Sequence, residues 1–136
     1  MAQLDPAKAI KNALADFFDA EDNGWTATLE VPDDYHPVAG SPLLLVADDG
    51  GVAVNTGPWM AGRGLLRIVI RLTAFARGRT EAREVVNLAI DFIQANRPAG
   101  ISRLENIPAV LDTRDQETGA YLASITMPVV VKPPTA

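Results

Sequence analysis

Residues Leu65 to Arg77 form a long apolar-rich stretch of the chain, and its polar residues Arg67, Arg71 and Thr73 fall an even number of positions apart. Side chains alternate across a strand, which divides the stretch into two sides. Leu66, Ile68, Ile70, Leu72 and Ala74 share one side and suit a core; Arg67, Val69, Arg71, Thr73 and Phe75 share the other. Gly78-Arg79-Thr80 breaks the run, and a helical pattern follows from Glu81 to Asn96. Thr80 is the expected cap, with Glu81 and Glu84 favourably placed in the first turn. Val85, Leu88, Ala89, Phe92 and Ile93 recur at helical spacing as the expected buried stripe, and Arg97-Pro98-Ala99-Gly100 ends the helix.

The same reading extends to the rest of the chain. Asp5-Pro6 is a helix start, with Asp as cap and Pro at the first helical position. Ala7, Ile10, Leu14 and Phe17, with Ala13 and Phe18 beside them, form an apolar stripe reaching about Ala20. Asp19, Glu21 and Asp22 oppose the helix dipole, so fraying is expected toward Asn23-Gly24. Trp25 to Val31 alternates as a strand and Pro32-Asp33-Asp34 closes it. Leu43 to Val46 reads as a short strand, Asp48-Asp49-Gly50-Gly51 as a tight turn, and Val52 to Val54 as its return. Asn55 to Gly64 reads as an exposed, mobile loop. Ile101 to Asp115 and Ala120 to Lys132 flank Gln116-Glu117-Thr118-Gly119, the clearest hairpin turn. Pro128 interrupts the last strand, which places it at an edge or a bulge. The tail 133–136 is expected to fray.

These elements predict an α+β fold. The expected arrangement is a single domain over 1–136, its mixed, mostly antiparallel sheet packed against an N-terminal helix and a second helix. A chain of 136 residues suits one domain with its own core. Hydrophobic residues at 48% and charged residues at 21% place it among globular proteins. No apolar run approaches the roughly 20 residues of a bilayer-spanning helix. The start Met1-Ala2-Gln3-Leu4-Asp5 lacks the features of a secretion signal. Without cysteine there is no disulfide, thiolate ligand or thiol nucleophile. The expectation is a soluble chain that folds without oxidative chemistry.

Charge divides along the chain. Residues 1–62 carry ten acidic side chains against Lys8 and Lys11, a balance of −8, whereas residues 63–136 carry ten basic against seven acidic, a balance of +3. Either the halves intermix on one surface and cancel, or they form opposed faces suited to self-association.

Catalytic material is sparse. His36, the only histidine, lies between Tyr35 and Pro37 in a polar loop, the setting of a surface residue rather than a general base. Asp33-Asp34 and Asp48-Asp49 lack calcium-loop spacing, and adjacent acids beside turns are ordinarily solvated. No metal ligand set or cofactor motif is found. Gly57 to Gly64 is glycine-rich but precedes a strand and lacks the Gly-Lys-Ser/Thr ending of a phosphate loop. It is either a flexible connection with Trp59 folded onto the domain, or an arm carrying Trp59, Met60 and Arg63 to a partner. These residue types, with Arg67 and Arg71, favour interface cores. Arg63, Arg67, Arg71, Arg77 and Arg79 lie in an acidic chain without a nucleic-acid-binding motif, which argues against specific nucleic-acid binding.

In its order of elements the chain resembles tail terminator (tail completion) proteins of long-tailed bacteriophages. The resemblance covers most of the chain. It rests on the N-terminal helix, the strand Leu66 to Ala76, the helix Ala82 to Ala95, Ile107 to Asp112, the turn Glu117-Thr118-Gly119 and the strand Ala123 to Val129. It implies a non-enzymatic virion protein without catalytic residues or cofactor. Such proteins form a six-membered ring that caps the tail tube, stops its polymerisation and provides the head-joining surface. The implied partners are further copies of the chain, the tail tube protein and a head-closure or connector protein. DNA would only pass through the lumen, and no membrane is involved. The implied place is the virion neck, after assembly in the host cytoplasm. The alternatives are another neck component, such as a head-closure or connector protein, and a small bacterial ligand-binding or enzymatic α+β domain.

Overall fold

The computed structural model describes residues 5–22, 24–31, 42–53, 66–98, 100–104, 109–114 and 121–131, with side chains except at 49–53, 66–67, 102–103 and 114. In chain order the elements are α1 (Pro6–Glu21), β1 (Thr26–Thr28), β2 (Leu43–Ala53), β3 (Leu66–Ala76), α2 (Arg79–Ala95), β4 (Ile101–Leu104), β5 (Leu111–Arg114) and β6 (Tyr121–Val131). They build one small α+β domain, a mixed sheet with two helices packed on it.

The sheet runs β1-β2-β3-β6, and the far edge of β6 is shared by β4 and β5. Only β1 and β2 pair in parallel; every other pairing is antiparallel. β3 and β6 pair along their whole length, from Leu66 opposite Val131 to Ala76 opposite Tyr121. α2 links β3 to β4 by a crossover over the helical face, and β6 is inserted between those two strands.

α1 begins as its sequence dictates. Asp5 accepts a hydrogen bond from the Lys8 amide (3.1 Å), Pro6 takes the first position, and Ile10, Leu14 and Phe18 point into the core. The helix ends at Asp22 in the left-handed region (φ 51°), and Gly24 (φ +80°), a conformation that favours glycine, turns the chain into β1. The core lies between helices and sheet: Ile68, Ile70, Leu72, Ala74 and Ala76 of β3 meet Ile125, Met127 and Val129 of β6 beneath Val85, Val86, Ala89 and Ile93 of α2. The alternation read from β3 holds, because Val69, Thr73 and Phe75 are half-buried and Arg71 is exposed on the opposite side.

Five sequence expectations require correction. The strand expected over Trp25 to Val31 is only Thr26–Thr28; beyond it the Thr28 hydroxyl bonds the Glu30 carbonyl (2.8 Å) and accepts from its amide (3.3 Å), which turns the backbone out of the ladder. Asp48 to Gly51 is no hairpin turn but a bulge inside β2: Asp48 pairs with Ile70 and Gly51 with Ile68, leaving one surplus residue on β2. The continuous partner β3 keeps both halves in one strand. Gly78, not Thr80, is the N-cap of α2; its extended backbone (φ −126°, ψ 145°) lets its carbonyl accept from the Ala82 amide at 3.1 Å. Leu88 is 41% exposed rather than in the stripe, which Ala82, Val86 and Ile90 complete instead. It lies one turn before Phe92, which α1 covers through Phe17.

The fifth correction concerns Pro128, which lies in an inner strand. It is opposite Val69 of β3, but residues 125–128 fall between the stretches of β6 that pair with β5 (121–124) and β4 (129–131). Among the described residues no strand pairs with Pro128 on that side, so its missing N–H forfeits no described ladder bond there. The stretch Ile101 to Asp115, read as one flank of the hairpin, carries two short strands, β4 and β5, laid end to end along β6. Pairing of Arg114 with Tyr121 agrees with the expected hairpin, whose turn lies outside the described residues.

Candidate assembly surface

Both helices pack on one side of the sheet, so the register defines the residues of the other. Leu45, Thr73, Ser124 and Leu111 form one row across β2, β3, β6 and β5, and Leu43, Phe75, Leu122 and Thr113 form the next. Thr73 Oγ1 and Ser124 Oγ lie 3.4 Å apart within their row. Arg71 stands between Ala47 and Thr126. Leu43 and Val130 are buried yet lie outside the cluster under the helices. Among the described residues of these rows no acidic side chain occurs; Arg71, Leu111 and Thr113 are exposed, Leu43 is buried and the others are half-buried.

A second feature joins the helical layer to the outer edge. Asp112 lies opposite Ala123, on the helix side of β5. Its Oδ2 accepts from Arg79 Nε (2.9 Å) and Arg83 Nη1 (2.6 Å), residues one turn apart on α2. Oδ1 is buried without a partner. The hydrogen bond from Arg79 holds the Asp112 carboxyl below its ordinary value, partial desolvation opposes this, and the bond and charge of Arg83 add to it. An open groove of about 460 Å³ runs along this part of α2, lined by Arg79, Thr80, Arg83, Glu84 and Asn87. The carboxylate also lies near the N-terminal turn of α2, where negative charge is favoured.

The sequence singled out Arg67 and Arg71 on the long strand. Arg71 is exposed on the sheet side away from the helices, as alternation required. Arg67 lies in β3 in register with Val52 and Val130. Trp59, Met60 and Arg63, the loop near 55–64, His36, Asp33-Asp34 and the tail 133–136 lie outside the described residues. The pairing of Asp112 with Arg79 and Arg83 was not read from sequence. The i, i+4 spacing of the two arginines was its only local sign.

Among the described residues no group of three or more histidine, cysteine or acidic side chains is gathered to hold a metal ion. No helix among them is long and apolar enough to cross a membrane. No protein-family model matches the chain, and no curated protein matches it.

Proposed function

We propose that the chain is a virion assembly protein resembling phage tail terminators. In this reading it forms a ring that caps the tail tube, stops its polymerisation and presents the head-joining surface; it performs no catalysis. The observation that carries the reading is the sheet side away from the helices, where leucines, hydroxyls and Arg71 lie in register across β2, β3, β6 and β5. The division of charge supports it. The acidic half builds α1, β1 and β2 at one end of the sheet, and the basic half builds the remainder. Opposed charges on opposite flanks favour head-to-tail contacts, which close into a ring when the rotation allows.

Sedimentation and electron microscopy of the purified protein test this directly. Rings of about six copies of the 14.5 kDa chain are expected, dissociating as salt screens the contact. A strictly monomeric protein whose stability responds to a small ligand would sink the proposal.

A further inference from the structure

The most exposed large hydrophobic among the described residues is Leu111, at 73%, where β5 begins at the outer edge of the sheet. Among the described residues β5 pairs only with β6, and Leu111 stands exposed on this outermost described strand. Next to Leu111, Asp112 anchors Arg79 and Arg83, whose side chains remain 66% and 40% exposed. Each guanidinium carries five N–H donors, of which one is spent on Asp112. The arginines are thereby held in place with donors to spare, which lowers the ordering cost of a further contact.

At the opposite flank of the sheet, α1 ends in Asp19, Glu21 and Asp22, all exposed, with no basic residue in its last turn. The negative end of the helix dipole adds to their charge. Gly24 and Trp25 then lead directly into β1, the other edge strand, so the two features occupy opposite flanks.

We propose that the β5 edge, through Leu111, Arg79 and Arg83, docks the acidic C-terminal end of α1 from a second copy of this chain. The proposal rests on the reading of the chain as a self-associating subunit and names the contact. Charge complementarity selects this occupant. Glu81 and Glu84, exposed on α2, lie beside the arginines and bear against any docking mode that does not bring the incoming carboxylates to the Arg79–Arg83 side. Because the two patches lie on opposite flanks, each copy donates one and receives the other, the heterologous arrangement that a ring requires. Leu111, on the opposite face of β5 from the arginines, supplies an apolar anchor at the same edge, and the arginines set register and orientation.

Two full-length variants test the contact by light scattering, with circular dichroism melts as the check on folding. Asp19→Lys with Glu21→Lys makes the acidic patch basic, and Arg79→Glu with Leu111→Glu makes the basic edge acidic. Each alone is expected to associate at least about tenfold more weakly than wild type, a loss of about 1.4 kcal/mol. An equimolar mixture is expected to recover association, because reversed patches then face one another in alternating copies. Leu111→Asp alone, at so exposed a position, is expected to melt as wild type does and to associate weakly. It decides the matter should the double edge variant fail to fold. Wild-type association by Leu111→Asp and by the lysine variant would overturn this contact and leave self-association standing. Two weak variants that do not rescue each other would overturn the pairing of these patches. A wild type that stays monomeric at low salt and high concentration would overturn both the contact and the ring.

Discussion

Phe17 of α1 stacks on Phe92 of α2, ring centroids 4.2 Å apart and planes inclined by 16°. Both rings are half-buried, and the stack seals the seam where the helices meet above the sheet. Leu88, a turn earlier on α2, lies beyond it and is exposed.

The stack is expected to contribute beyond the area it buries. Phe17→Ala and Phe92→Ala should each destabilise the fold by less than the roughly 3–5 kcal/mol of a fully buried phenylalanine. A double-mutant cycle in urea should return a coupling of about 0.5–1.5 kcal/mol. Strict additivity would mean that the rings are neighbours without interaction.

Leu88 and Ile93 should separate sharply although both belong to the sequence-predicted stripe. Ile93 is fully buried, and Ile93→Ala should cost about 2–5 kcal/mol. Leu88→Ala, at an exposed position, should cost less than about 1 kcal/mol. Comparable losses in thermal melts would contradict the orientation of α2.

That contrast indicates where local pattern stops informing. The strand β3 and the helix α1 were legible because periods of two and 3.6, with Asp5-Pro6 as a start signal, are local properties of the chain. Asp48-Asp49-Gly50-Gly51 was not, since its residues suit a turn and a bulge alike, and only the unbroken partner β3 decides between them. Pro128 was misplaced for a similar reason. The interruption between β4 and β5 that accommodates it belongs to other segments of the chain. Asp112 meets Arg79 and Arg83 only because α2 crosses the sheet, a tertiary relationship with no local counterpart.

Asp112 carries a pH signature of known sign. Its carboxyl titrates below the ordinary 3.8 in the folded chain, chiefly through the hydrogen bond from Arg79. A depressed folded value means that the stabilising contribution is fully present above the unfolded value and fades as pH falls through the folded one. The stability difference between wild type and Asp112→Asn should therefore be constant at neutral pH and shrink below about 3.8. Urea titrations across that range measure it. A difference that grows on acidification would reverse the assigned sign.

Arg67 and Arg71 should act in assembly rather than in folding. Arg71 is exposed on the side of β3 away from Ile70 and Leu72, both fully buried beneath the helices, and Arg67 lies four residues earlier in the same strand. Replacing both by Gln keeps length and hydrogen-bonding capacity while removing two charges. An exposed ion pair contributes about 0–1 kcal/mol, so melting of the isolated subunit should barely move. If the arginines meet carboxylates buried by a subunit contact, breaking those pairs costs about 3–5 kcal/mol, and that loss should appear in ring formation. Sedimentation of the double variant beside its thermal melt separates the two effects. Unimpaired association, or a subunit that no longer folds, would remove these residues from the assembly surface.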